Sequence, residues 1–188
     1  LELGRPEVDR TALRDYFTYK YAPSPKTMYV GIRQLPPGHT LVWDGSLRVE
    51  RYWQPVSEAT VTDADDAVER LGSMLGEIVP EHTLSDVPVG VFLSGGIDST
   101  TVVAHLERPR TFTLGVDIKR RDESGPARVI AERFGTDHHE EIAGSIDLDE
   151  AVETVPGVYD EPFGDSSAWS NFLVSRLARK HVTVALSG

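Results

Sequence analysis

The chain has 188 residues, of which 39% are hydrophobic and 26% charged, enough for one full core or one core and part of another. Its formal net charge of −11 argues against broad binding to nucleic acid or an anionic membrane, because phosphate neutralisation needs clustered Lys and Arg. A small anionic ligand responds to local field and is not excluded. With no cysteine there is no disulfide framework, no thiolate metal site and no cysteine nucleophile. No segment reaches the length of a membrane span, residues 1–5 lack the layout of a signal peptide, and a cytoplasmic setting is the expectation.

Residues 1–56 differ in pattern from the rest of the chain. Residues 8–21 form an expected helix whose apolar side includes Ala12, Leu13, Tyr16 and Phe17. It stops at Ala22-Pro23-Ser24-Pro25, since proline disfavours helix in the residue before it. After the turn Leu35-Pro36-Pro37-Gly38, the stretch "HTLVWDGSLRVERYW" has the form of a hairpin, with Asp44-Gly45 between two strand-like runs. Two strands are marginal alone, so this segment is expected to belong to a larger sheet.

From Thr62 onward helices and strands alternate. Thr62 or Asp63 can cap a helix with apolar residues at Ala64, Val68, Leu71, Leu75 and Ile78, the spacing of one helical face. Residues 87–93 read as a buried strand, 97–106 as the helix after it, and 111–116 as a second strand. A helix over 126–134 has Gly135 placed as its C-terminal cap. A short strand over 139–142 and a weaker helix over 147–155 come next. "SSAWSNFLVSRLARKH" is a helix with Ser166 or Ser167 as cap and basic residues in its last turn. "VTVALSG" is a β-rich strand ending on Ser187-Gly188. This alternation predicts an α/β fold with a parallel sheet covered by helices on both faces, because parallel neighbours need crossover helices.

Ligands of open parallel sheets gather beyond the carboxyl ends of the strands. Three predicted strand ends carry small residues there: Ser94-Gly95-Gly96, Gly115 and Ser187-Gly188. In "VGVFLSGGIDST" glycines allow close backbone approach, the helix after them offers unpaired N–H donors, and Ser94 and Ser99 add hydroxyls. The stretch reads as a phosphate or pyrophosphate site without the lysine of the NTPase loop. Asp98 has two readings. A carboxylate repels phosphate unless a divalent cation lies between them, a need that magnesium meets; otherwise Asp98 serves only as an acidic first-turn residue against the helix dipole.

"LSGGIDS" resembles the pyrophosphate loop of the N-type ATP pyrophosphatases, which cleave ATP to AMP and pyrophosphate. "YAPSPKTMYVGIRQLPPGH", "FGTDHHE", "DEPFGDSSA" and "VALSG" resemble, in the same order, segments of glutamine-hydrolysing asparagine synthetase. The similarity covers nearly the whole chain. It implies a C-terminal remnant of an Ntn-type glutaminase domain over residues 1–56. It implies the N-terminal part of an ATP-binding synthetase domain, adenine nucleotide α-hydrolase-like in fold, over 62–188.

By this resemblance Ser94, Gly95, Gly96, Asp98 and Ser99 hold the β- and γ-phosphates with Mg2+, and Asp98 and Ser94 are the catalytic candidates. Leu93, Leu114, Ser187 and Gly188 match positions lining the adenosine pocket. The implied reaction adenylates the side-chain carboxylate of aspartate, releases pyrophosphate, and lets ammonia attack to give asparagine and AMP. A homodimer is one implied assembly. The family's glutaminase requires an N-terminal cysteine, which no position here supplies, so these residues alone are not expected to make ammonia from glutamine. The family's Gly- and acid-rich loop is expected beyond Gly188. Relatives with the same loop act on other acids in β-lactam or peptide-modifying synthesis, and a catalytically silent nucleotide-binding module is a further alternative.

Other residues carry two readings. His138 and His139 invite a metal reading, but neighbours on a strand face opposite ways, which favours structural or exposed roles. Asp122 and Glu123 either approach the substrate or open a helix. Asp160, Glu161 and Asp165 either line the aspartate side of a pocket or form a solvated acidic loop.

Overall fold

The computed structural model describes residues 6–56, 61–116, 122–144 and 148–188. The expected lack of a signal layout in residues 1–5 and the expected helix start at Asp147 lie outside the described residues. In chain order the elements are α1 (Arg10–Tyr19), β1 (His39–Trp43), β2 (Leu47–Arg51), α2 (Ala64–Glu81), β3 (Val89–Phe92), α3 (Ile97–Ala104), β4 (Arg110–Val116), α4 (Ser124–Phe134), β5 (Asp137–Ala143), α5 (Leu148–Val158), α6 (Ala168–Arg179) and β6 (Val184–Leu186). They fall into two compact units, one of Leu1–Ala59 with Asp149–Ala168 and one of Thr60–Leu148 with Trp169–Gly188.

In the first unit, α1 begins where Asp9 accepts the amides of Thr11 at 2.7 Å and Ala12 at 3.2 Å, satisfying donors that a helix start leaves open. Ala12 packs with Ala22 and Met28, and Tyr16 and Tyr29 lie against them. The hairpin is as expected: β1 and β2 pair antiparallel from His39↔Arg51 to Trp43↔Leu47. Leu41, Val42, Trp43, Leu47 and Val49 are exposed, and no further strand joins this sheet among the described residues. Glu161 accepts the Met28 amide at 2.8 Å. That bond gives this acidic residue a structural partner, and Asp165 likewise accepts the Ser167 amide at 2.8 Å just before α6.

The second unit is the parallel α/β fold. Its four strands run in the order β5-β4-β3-β6, and every pairing is parallel. Helices cover both faces. On one, Val91 and Leu93 pack with Val103 of α3 and with Ala127 and Ala131 of α4. On the other, Phe112 packs with Leu177 and Ala178 of α6 and with Val182. The chain therefore leaves β3 for β4 on one side, and β6 returns to its other side, which places a switch in strand order at β3.

The helix expected after Thr62 is present, with Asp63 as its cap through the amides of Asp65 and Asp66, both at 3.0 Å. Its apolar stripe is not a core face among the described residues. Val68 is 71% exposed and Leu71 56%, while the buried residue of α2 is Val79. Periodicity set the helix correctly, but burial depends on what lies opposite.

Candidate functional site

The site begins where β3 ends. Leu93 is 2% exposed, and its N–H donates to the Phe112 carbonyl at 2.9 Å. The chain then turns through Ser94-Gly95-Gly96 and enters α3 with Gly96 as N-cap and no side-chain cap bond. Gly95 holds φ +76, a left-handed conformation that side-chain-bearing residues rarely adopt. It also lies hard against α4: a Cβ placed on it falls 2.7 Å from Pro126 Cβ and 2.8 Å from the Ala127 amide nitrogen.

The two serines brace the loop from inside. Their hydroxyls are 3.0 Å apart, the Ser94 amide donates to Ser99 Oγ at 3.3 Å, and the Gly96 amide donates to Ser94 Oγ at 3.2 Å. Ser99 is buried, and its hydroxyl also reaches the Gly96 carbonyl at 3.3 Å. Ser99 therefore shapes the turn with its side chain and presents its amide. The amides of Gly95, Ile97, Asp98 and Ser99 have no acceptor among the described residues. Together with the positive end of the α3 dipole, such a set of N–H groups is an anion cradle.

Asp98 stands exposed in the first turn of α3. Its carboxylate makes no hydrogen bond or ion pair to a described residue, so it does not cap the helix through a bond. A free carboxylate beside open backbone donors is the donor set that a hard divalent cation between protein and phosphate uses, and the residues present fit magnesium on that ground.

The other side of the cradle comes from β6. That strand pairs with β3 from Val89↔Val184 to Val91↔Leu186, and the chain after it brings Gly188 onto the first turn of α3. A Cβ placed on Gly188 falls 2.4 Å from the Ser99 amide nitrogen and 2.7 Å from the Asp98 carbonyl oxygen. Glycine is required here for space: a side chain would press on one of the open donors.

Leu114 lies one strand away, near the carboxyl end of β4 and partly buried. Beyond it Gly115 faces the start of α4, where a Cβ would lie 3.2 Å from Asp122 Oδ1. Asp122 accepts the Ser124 amide at 3.1 Å and the Ser124 hydroxyl at 3.0 Å. Those two bonds hold its carboxyl below the ordinary carboxylate value of 3.8. Of the two readings of Asp122, its bonds are those of a helix opener. The structure thus gathers Leu93, Ser94, Gly95, Gly96, Asp98, Ser99 and Gly188 at the end of β3, with Leu114 on the neighbouring strand.

His138 and His139 point to opposite faces. His138 Nδ1 lies 2.8 Å from Thr111 Oγ1; the His139 ring stacks on Phe112 and His181, with centroids 5.3 and 3.9 Å away. No group of three or more potential metal ligands occurs among the described residues. Three contributors are not evident from the sequence. Pro126 and Ala127 abut Gly95, and the buried Thr113 donates its hydroxyl to the Leu93 carbonyl. A threonine in an apolar strand signals only β propensity.

A glycine-rich loop at a switch point of a parallel sheet defines an α/β protein of the class that places its ligands beyond the carboxyl ends of the strands. The comparison with known families makes that specific. The sequence model of the asparagine synthase family matches residues 70–188, and that of a glutamine amidotransferase domain matches residues 2–53. The chain belongs to the asparagine synthase family. It is 34% identical over 197 residues to a Methanocaldococcus jannaschii protein assigned by name to the glutamine-hydrolysing asparagine synthetases, covering 100% of this chain and 38% of that one. It is 32% identical over 191 residues to asparagine synthetase 1 of Bacillus subtilis, covering 97% of this chain and 30% of the relative. A fungal protein named amidase chry2, from Gibberella zeae, is 33% identical over 138 residues, covering 60% of this chain and 21% of its own. The chain thus spans between 30% and 38% of the length of the two synthetases named here.

Proposed function

We propose that the second unit is the ATP site of an ATP-dependent amide ligase that makes asparagine from aspartate and ammonia. The observation that carries this reading is the cradle itself. Four open amides lie over the start of α3, and Gly188 approaches within a distance that only a residue without Cβ permits. ATP bound there would place its β- and γ-phosphates on the open amides of Gly95, Ile97, Asp98 and Ser99, with Gly96 giving close approach and the Ser94 hydroxyl at the loop entrance. Leu93, Leu114, Ser187 and Gly188 would border the adenosine.

The reaction is attack of the aspartate side-chain carboxylate on the α-phosphorus. The bond to the bridging oxygen breaks, and pyrophosphate leaves carrying its electron pair. Ammonia then attacks the acyl carbon and expels AMP. Such chemistry asks for fixed donors where charge develops on the leaving group rather than for a protein nucleophile, and the loop amides meet that demand. Magnesium, held by Asp98, would neutralise charge on the phosphates and favour their departure. Ammonia would come from glutamine through the amidotransferase part of the full-length protein, to which residues 2–53 correspond by their family match. Among the described residues no helix is long and apolar enough to cross a membrane; a cytoplasmic homodimer is part of this proposal.

The test is pyrophosphate release by the full-length protein supplied with ATP, magnesium, ammonia and a panel of acids. Aspartate-dependent release that disappears in Asp98→Ala is expected. Release with another acid alone would overturn the aspartate assignment, a contrast made worthwhile by the fungal relative named an amidase. No release with any acid would leave a nucleotide-binding module without this chemistry.

A further inference from the structure

The loop amides can serve a ligand only if β3 ends at a fixed height relative to β4. The ladder between these strands runs Gly90↔Arg110, Val91↔Thr111 and Phe92↔Phe112, and the Leu93 N–H adds a bond to Phe112. The next group along is the Leu93 carbonyl, at the point where the chain leaves the sheet for Ser94. Leu93 and Thr113 are each 2% exposed, so this oxygen has no access to bulk water. A buried carbonyl without a partner is costly. The Thr113 hydroxyl supplies the donor. Next to Thr113 on β4 is Leu114, which borders the adenosine in the proposed function.

We propose that Thr113 is a positioning residue for nucleotide binding: by holding the Leu93 carbonyl it fixes the exit of β3, and so the placement of the phosphate-binding amides relative to the end of β4. The part concerning ATP rests on the proposed function; the part concerning loop placement does not. Thr113 touches no reacting atom and acts through the loop.

The experiment compares Thr113→Val, which keeps the shape and removes the hydroxyl, with Thr113→Ser, which keeps the hydroxyl, both in the full-length protein. Two measurements are made. The first is exchange of the hydrogen-bonded amides of the loop and its entry, those of Leu93, Ser94 and Gly96, without nucleotide, referred to exchange in α6. The second is the KM for ATP against that for aspartate in pyrophosphate release. Loss of the donor is expected to speed exchange of the loop about tenfold relative to α6, and to raise the ATP KM about tenfold with little change for aspartate. The serine variant should stay near wild type in both. A valine variant with wild-type loop exchange overturns the proposal. So does exchange that rises equally in the loop and α6, or an equal loss in valine and serine. If the wild-type protein releases no pyrophosphate from ATP, the functional reading fails, and loop exchange alone decides the role of Thr113.

Discussion

Gly95→Ala is the sharpest perturbation of the cradle. At φ +76 an alanine pays for a left-handed backbone, roughly 1–2 kcal/mol. Its methyl would also fall 2.7 Å from Pro126 Cβ and 2.8 Å from the Ala127 amide nitrogen, where carbon contacts settle at about 3.5–4.0 Å. The loop and the start of α4 must therefore separate by about 1 Å, and such overpacking costs roughly 1–3 kcal/mol. The sum, about 2–5 kcal/mol, corresponds to a Tm lower by roughly 4–20 °C. A 1 Å displacement of positioning groups costs on the order of a hundredfold in rate, so kcat/KM for ATP should fall by about that factor in a pyrophosphate-release assay. Gly125→Ala is the matched control. It lies in α4, and a Cβ there meets nothing within 4 Å, so alanine should be neutral or stabilise by about 0.4–1 kcal/mol. A Gly95→Ala protein that melts and turns over like wild type would refute the packing of this loop against α4.

Two further perturbations separate stability from the site. Phe112 is fully buried, so Phe112→Ala should cost about 3–5 kcal/mol in denaturant unfolding; a loss under about 1 kcal/mol would mean that the α6 face is not a packed core. His138 is held below its ordinary value of 6.5, first by burial and less by His139 and Arg128, with the Glu140 carboxylate opposing. The folded state then binds this proton less readily than the unfolded chain, so stability is present above pH 6.5 and declines as pH falls through and below it. His138→Gln should flatten that part of the stability–pH curve, and an unchanged slope would assign it to other groups.

Much of this architecture is legible in the residues. The order of helices and strands, the Asp44-Gly45 hairpin and the Gly135 cap, at φ +62, come from local rules of spacing and turn chemistry. The glycine loop after β3 is legible for the same reason: a strand, two glycines and a helix start are contiguous. Distant pairing is where local reading stops. Nothing near "VALSG" shows that β6 lies beside β3, because parallel partners are chosen by packing across the sheet. The same limit explains α2, whose 4-3-4-3 apolar spacing marks a helix and not what covers it. Thr113 differs again, since its partner exists only once the register Phe92↔Phe112 is set.

The placement of β6 bears on the order in which the molecule forms. During synthesis β3, α3 and β4 emerge well before Val184–Leu186, and a domain folds as a unit. The bracing of the loop by Ser94 and Ser99 is local, whereas the Gly188 wall is added only when β6 pairs with β3. Once β6 is in place, a ligand that needs both walls binds only the finished sheet, and by linkage at one hundred times its Kd it adds about 2.7 kcal/mol to the hold on that late-arriving strand.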